Sequence, residues 1–320
     1  MAVAWLFPGQ GSQTVGMGRE LAERSARAAR VFEEANDALG FDVRRLSFEG
    51  PQAELDRTAN TQPALLAASI AALRAAEEET TGLAAPAVVL GHSLGEFSAL
   101  VAAGALALDD ALRLVRRRGE LMQAADRAEP GSPAPGTGGM AAVLGLDADA
   151  VARALAGSDL VVANDNAPGQ IVISGPRDAL ARAGDALKAA GAKRVIPLRA
   201  SGAFHSPAMR AVAPELRRAL DAAVWGALRY PIVTNVDAAL HDEVSELPAL
   251  LERQVWSPVQ WVAAIRRAAG EGASVFVEFG PGSVLTGLAK RILPGVVTAN
   301  VADARTLREA APFIGTGGPR

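Results

Sequence analysis

Serine, histidine and glycine at one close spacing hold the chemistry of this chain. The run Gly91-His92-Ser93-Leu94-Gly95-Glu96 follows the apolar Ala87-Val88-Val89-Leu90 and precedes a helix-forming stretch from Phe97 to Ala103. Strand, sharp turn and helix in that order lift a serine hydroxyl off a sheet edge, and the flanking glycines make the turn possible. The serine then meets a helix N-terminus, whose unpaired N–H groups face any oxyanion that develops. A turn with only a structural purpose is the competing reading of these few residues. A hydroxyl becomes a nucleophile only when a base takes its proton. The chain has three histidines. His92 adjoins the serine, and neighbours on such a turn point in different directions. His241, in Leu240-His241-Asp242-Glu243, reads as a solvated loop residue. His205, in Gly202-Ala203-Phe204-His205-Ser206-Pro207, lies between a predicted strand and a predicted helix. That position returns it to the sheet edge of Ser93, so His205 is the expected base. Asp165 is the one tempting acidic partner, but Asn164-Asp165-Asn166-Ala167-Pro168-Gly169 reads as a turn.

The elements that must position these groups alternate. Val3 to Phe7 is a predicted strand, residues 19–39 and 62–80 have helical spacing, and Val88 to Leu90 is the strand before the turn. Residues 94–104 and 109–127 are again helical. Alternating strands and helices predict a parallel sheet. Residues 128–139 break the rhythm with three prolines and four glycines, as a loop at a domain boundary would. Beyond it come strand 140–146, helix 148–156, strands 160–163 and 170–174, helix 178–190 and strand 194–198. This β-α-β-β-α-β order is ferredoxin-like. The chain then returns to the larger unit through helix 207–223, strand 232–235, helices 247–254 and 261–271, strand 274–279, helix 284–293 and a last strand near 297–301. The expected organisation is a discontinuous α/β catalytic domain, 1–128 and 199–320, with a small inserted domain at 129–198. Residues 315–320 read as a mobile end.

Composition excludes several classes. Half of the 320 residues are hydrophobic and 21% are charged, enough for a large core and too few charges for a disordered chain. The net charge of -3 argues against a partner held by a general basic field, so no nucleic acid is expected. No cysteine is present, which removes disulfides, thiolate chemistry and Cys-based metal sites. The start, Met1 to Pro8, shows no basic region leading into an apolar core, and no apolar run is long enough to span a membrane. The chain is expected to be soluble and cytoplasmic, with no membrane partner.

In six blocks the sequence resembles the malonyl-CoA:acyl-carrier-protein transacylases, the acyltransferases of fatty-acid and polyketide synthesis. The blocks are Phe7 to Gln13, Gly91 to Glu96, Arg118-Gly119, Phe204-His205-Ser206, Gln254 through Trp261, and Glu278-Phe279-Gly280-Pro281-Gly282. They run in order along almost the whole chain, which is far more specific than any one block. The resemblance implies a large α/β-hydrolase-like domain with a parallel sheet plus the small ferredoxin-like one. It implies a Ser93–His205 dyad in which the main-chain carbonyl of Gln254 orients the imidazole, where a hydrolase would use an acid. It implies an oxyanion hole from the N–H groups of Leu94 and Gln10. Gly9 and Gly11 suit the latter, because they let a backbone N–H come close to substrate. It implies that Arg118 pairs with the free carboxylate of malonyl, a fork of donors suited to that group. Arg116 and Arg117 cannot all share that face of the helix and read as surface charges, or as groups facing an acidic carrier. Phe204 goes with malonyl, since a bulky ring crowds an α-methyl group. Asn166 aligns with a site asparagine, and a turn role fits it equally well.

The function this implies is ping-pong transfer of malonyl from malonyl-CoA, through an acyl-serine, to the phosphopantetheine thiol of an acyl carrier protein. No metal or redox cofactor is called for. The rival readings are a free-standing polyketide-synthase acyltransferase, a thioester hydrolase that removes stalled acyl chains, and a catalytically idle carrier-binding module. The 128–139 loop is longer than the fatty-acid enzymes usually have, which bears on carrier docking.

Overall fold

The protein is described by a computed structural model covering residues 2–80, 82–125 and 136–315. Most of the predicted 128–139 boundary loop and of the 315–320 end lies outside these residues. The chain is α/β, with one mixed, mainly parallel sheet and one separate antiparallel sheet.

The large sheet contains β1 (Ala2–Phe7) and β2 (Val88–Gly91) at its centre. The two are parallel, with Phe7 opposite Gly91, so the end of β1 and the start of the serine turn are neighbours. Later strands of this sheet are β7 (Ile232–Val233), β8 (Leu240–His241), β9 (Ala273–Phe279) and β10 (Val297–Val301). Their order is β10-β9-β1-β2-β7-β8, and only β8 runs antiparallel to its neighbour. Side chains of β1 alternate between two cores. Trp5 and Phe7 pack with Phe279 on one face, while Ala4 and Leu6 join Val88, Leu90, Phe276 and Trp261 on the other. A parallel sheet buried on both faces requires such apolar strands.

The small sheet contains β3 (Gly138–Leu144), β4 (Val161–Ala167), β5 (Gln170–Pro176) and β6 (Arg194–Pro197), in the order β4-β5-β3-β6. Helices Ala148–Ala154 and Arg177–Ala189 bury Val151 and Leu187 against Val143, Ile171 and Ile173. The opposite face turns Met140 and Val172 toward the larger core.

Several expectations need correction. The predicted turn 164–169 shrinks to Pro168-Gly169, because β4 continues through Ala167. It continues because it gains backbone partners outside its own sheet. The Asp165 N–H donates to the Val259 carbonyl (3.0 Å), and the Val259 N–H donates to the Ala163 carbonyl (2.9 Å). Asp165 is thus a strand residue, half-buried, and among the described residues it makes no hydrogen bond to His205. His241 is on β8 rather than in an exposed loop, and its ring meets Asp237 at 3.3 Å and Glu246 at 3.6 Å. Helix 19–39 is two helices, Arg19–Arg24 and Ala26–Leu39, broken where Ser25 turns extended and caps the second through the Ala28 N–H. The predicted helix 207–223 begins as a 3-10 turn, Pro207–Val212. A final helix, Ala304–Ile314, follows β10 unpredicted, although Asp303 and Thr306 form a reciprocal capping box at its start.

Glycine is required at two positions of the serine turn. A Cβ on Gly91 would lie 1.9 Å from the Gly95 carbonyl, and one on Gly95 would lie 2.0 Å from the Phe7 carbonyl oxygen. Both obstacles are backbone, so neither can step aside. Gly95→Ala is therefore expected to destabilise the fold by at least about 2 kcal/mol, as overpacking of a rigid interior does. Thermal or urea melts check this, and an unchanged midpoint contradicts the tight approach.

Candidate active site

The turn after β2 puts Ser93 in the left-handed region, at φ 51°. A side chain resists that conformation, so something must hold it there. Asn235 does so. Its Oδ1 accepts the Ser93 N–H at 2.6 Å, and its Nδ2 donates to the Gly91 carbonyl at 2.7 Å. Helix Gly95–Ala102 then begins directly behind the serine. His205 is also left-handed, at φ 57°, and its N–H is tied to the Val255 carbonyl at 3.1 Å.

These two residues meet. The Ser93 hydroxyl lies 2.8 Å from Nε2 of His205. On the far side of the ring, Nδ1 lies 2.9 Å from the Gln254 carbonyl and 3.1 Å from the Ser257 carbonyl. Carbonyls only accept, so Nδ1 carries the hydrogen and the Nε2 lone pair faces the hydroxyl. Burial, and then the positive charge of Arg118, hold the imidazole down to about 3, with the Gln254 carbonyl working in the other direction. The ring is therefore neutral and ready to accept a proton at neutral pH.

Arg118 projects from helix Leu108–Ala125 into the same place and is almost wholly buried. Nη2 donates to the Ser93 hydroxyl (3.0 Å) and to Oε1 of Gln254 (2.9 Å), while Nη1 donates to Oε1 of Gln62 (3.0 Å). All three acceptors are neutral. Burial lowers its pKa to about 10, and the nearby Glu96 charge works in the other direction. Arg116 and Arg117 point elsewhere. Arg116 pairs with Glu120 and bonds Asn60, and Arg117 pairs with Glu215, so both are engaged on the outside of the helix.

The remaining predicted groups surround a cleft of about 600 Å³, lined by both sheets' units. Gln10 and Leu94 line it, and among the described residues their main-chain N–H groups have no acceptor within the protein. Gly9 brings the Gln10 loop against the serine turn, where a Cβ would sit 2.4 Å from the His92 carbonyl oxygen. Phe204 and Asn166 also line the cleft. Asn166, on β4, sets its Oδ1 2.8 Å from Nε2 of His92. His92 is thus turned away from the serine, stacked edge-on against Trp261 and bonded to the small sheet.

Three participants escaped the sequence reading. Asn235, Gln62 and the amide of Gln254 have no diagnostic spacing and reach the site only through the fold. A fourth, Glu96, stood inside the quoted motif without a role. It is buried, accepts from the Asn235 N–H (3.1 Å) and from Nε2 of Gln254 (2.8 Å), and burial pushes it up to about 7.

A nucleophile elbow, a carbonyl-oriented histidine and a cleft between two sheets define an acyl transferase, and residues 4–307 match the acyl transferase domain family. The chain belongs to that family. It is 44% identical to the malonyl CoA-acyl carrier protein transacylase of Bacillus subtilis over 313 residues, covering 96% of each chain. It is similar in structure to an acyl carrier protein S-malonyltransferase from Vibrio cholerae (TM-score 0.89, 42% identity, 97% of this chain and 100% of that one). A malonyl-transacylase solved in complex with a type II PKS acyl-carrier protein is equally similar (TM-score 0.91, 42% identity, 97% and 99% covered).

The His205 shift is measurable. An NMR titration of its ring should find it still neutral as pH falls through 6.5, and Arg118→Ala should raise its pKa. A ring that titrates near 6.5 contradicts the electrostatics described. The sign for stability follows from a folded value below the unfolded one. Stability is full above 6.5 and falls as pH drops toward 3, because the unfolded chain takes up a proton that the buried ring refuses.

Proposed function

We propose that this protein moves a malonyl group from malonyl-CoA to the phosphopantetheine thiol of an acyl carrier protein, through an ester on Ser93. The observation that carries this reading is Arg118, a buried guanidinium 3.0 Å from the serine hydroxyl to which no carboxylate among the described residues is bonded. Such a group is suited to an acyl chain that ends in its own carboxylate. The names of the relatives agree with it.

In this mechanism Nε2 of His205 takes the Ser93 proton as the oxygen attacks the thioester carbon. The N–H groups of Leu94 and Gln10 hold the oxyanion, each worth about 3 kcal/mol in the transition state. The C–S bond breaks, and the proton on Nε2 passes to the departing CoA sulfur. Malonyl-Ser93 remains with its carboxylate on Arg118. The carrier thiol then gives its proton to His205, its sulfur attacks the ester, and the proton returns to the Ser93 oxygen. The Gln254 carbonyl keeps the imidazole in the working tautomer. Phe204 crowds an α-methyl group and favours malonyl over methylmalonyl, and Asn166 braces the cleft through His92.

The reading includes two domains. Residues 1–128 and 199–320 form a large α/β-hydrolase-like domain, and 129–198 an inserted ferredoxin-like one. The order β4-β5-β3-β6 and the β-α-β-β-α-β sequence of elements support the latter. The site of action is the cytoplasm. A second reading, a free-standing acyltransferase for polyketide synthesis, is favoured by the neighbour solved with a PKS carrier.

Intact mass after incubation with malonyl-CoA should show one malonyl group on the wild type and none on Ser93→Ala. No adduct on the wild type rejects the proposal. Arg118→Ala should lose about 1.5–3 kcal/mol in malonyl transfer, the worth of a charged hydrogen-bonded pair. An unchanged preference for malonyl over acetyl refutes that role. Offering fatty-acid and polyketide carriers to the loaded enzyme separates the two pathways, and steady CoA release without any carrier would mark a hydrolase instead.

A further inference from the structure

Glu96 is a buried carboxylate that the mechanism above does not use. It sits in the first turn of the helix behind Ser93, yet its side chain leaves that helix and turns to other segments. Oε2 accepts from the main-chain N–H of Asn235 at 3.1 Å and from Nε2 of Gln254 at 2.8 Å. Oε1 has no partner among the described residues. A buried carboxyl oxygen left without a bond is unfavourable, so a packing role alone would be better served by an apolar side chain.

The Gln254 amide shows what Glu96 does. Its two N–H groups have two acceptors, Oε2 of Glu96 and the Ser93 carbonyl at 3.0 Å. Its oxygen has one donor, Nη2 of Arg118 at 2.9 Å. An amide can flip, and only its surroundings decide which end points where. With the amide reversed, its oxygen would face a carboxylate and a carbonyl, and its NH₂ would face a guanidinium. Every contact would be repulsive. Glu96 and the Ser93 carbonyl therefore fix the amide, and the fixed amide presents an acceptor to Arg118. Nη2 of Arg118 divides its donors between that acceptor and the Ser93 hydroxyl, so Gln254 orients this end of the guanidinium beside the nucleophile while Gln62 holds Nη1.

We propose that Glu96 is a positioning residue for acyl-group selection: it locks the Gln254 amide, and through it sets the Arg118 guanidinium where the acyl carboxylate must bind. Its effect is on the choice of acyl group, beyond any effect on the fold. The proposal rests on malonyl transfer as read above.

The test compares Ser93 acylation by malonyl-CoA and by acetyl-CoA in single turnovers, for the wild type, Glu96→Ala, Glu96→Gln, Gln254→Ala and the Glu96→Ala/Gln254→Ala double variant. Glu96→Ala should lower the malonyl-to-acetyl preference about tenfold, the low end for one charge-assisted bond. Glu96→Gln should restore most of it, because an amide oxygen can take the place of Oε2. Gln254→Ala keeps the main-chain carbonyl and should lower the preference similarly, and the double variant should be no worse than either single one. If Glu96→Ala does not fold, Glu96→Asp withdraws the oxygen by one methylene and should show the same loss. Equal loss toward malonyl and acetyl, or losses that multiply in the double variant, would overturn the inference alone. A wild type that takes up no malonyl would overturn the functional reading and this inference with it.

Discussion

The rest of the site is arranged around a cation, Arg118, that no carboxylate among the described residues neutralises by direct contact. Burying a guanidinium costs several kcal/mol unless its charge is answered. Around Arg118 the answer is partial: neutral oxygens from Gln62, Gln254 and Ser93, and the face of Phe97 at 5.8 Å. The carboxyl of Glu96, raised by burial to about 7, acts on it from behind Gln254. In the proposed reaction an anionic acyl group supplies what is missing, so part of its binding energy comes from charge that the protein leaves unsatisfied. Burial first, and then the same charge, depress His205. In the proposed reaction a carboxylate on Arg118 relieves the second of these, and the substrate that belongs there makes its own base stronger. An acetyl group, which leaves Arg118 unanswered, gains neither advantage. Selection then acts on the chemical step as well as on binding.

Backbone strain is the second constraint. Ser93 and His205 are two of the three non-glycine residues with positive φ among the described residues. Each costs of the order of 1–3 kcal/mol, which persists only where the surroundings over-determine the conformation. The side chain of Asn235 pins Ser93 from both ends of the turn, and the carbonyl of Val255 pins His205. Asn235 follows β7, and Val255 adjoins Gln254, whose own carbonyl and amide serve the same pair. The geometry of the dyad is thus fixed by segments that lie far away in sequence.

That arrangement explains what could be read in the sequence. Gly91, Ser93 and Gly95 were legible because a tight turn between a strand and a helix leaves a local pattern, although the backbone that Gly95 must clear belongs to Phe7 on β1. His205 was legible because only three histidines exist and the strand–helix alternation returns one of them to the right edge. Asn235 and Gln62 were not, because an asparagine after a short strand and a glutamine in a long helix look like many others. Their roles depend on where the chain comes back. Residues 164–169 misled for a related reason. Asn, Asp, Pro and Gly are turn formers, but the Val259 backbone recruits this stretch into β4, and a tertiary pairing overrides local preference. The helix at 304–314 was a different kind of miss, since the Asp303–Thr306 capping signal was present in the sequence.

The carbonyl behind His205 also bears on what the site can do with its acyl group. A carboxylate in that position would stabilise the imidazolium by full charge. Two carbonyls hold the tautomer without doing so, and burial beside Arg118 makes the protonated ring a strong acid. Such a base keeps a proton only briefly. It can take one from an attacking hydroxyl or thiol if a leaving group is ready to receive it in the same event. Sulfur fits that demand, since a thiolate is a modest base, with a parent thiol near pH 8.5 in the case of cysteine. In the second half of the proposed reaction a thiol gives up its proton far more readily than water does, so the carrier arm asks less of so weak a base. In that proposed reaction an acyl group on Ser93 passes to a thiol more readily than to water.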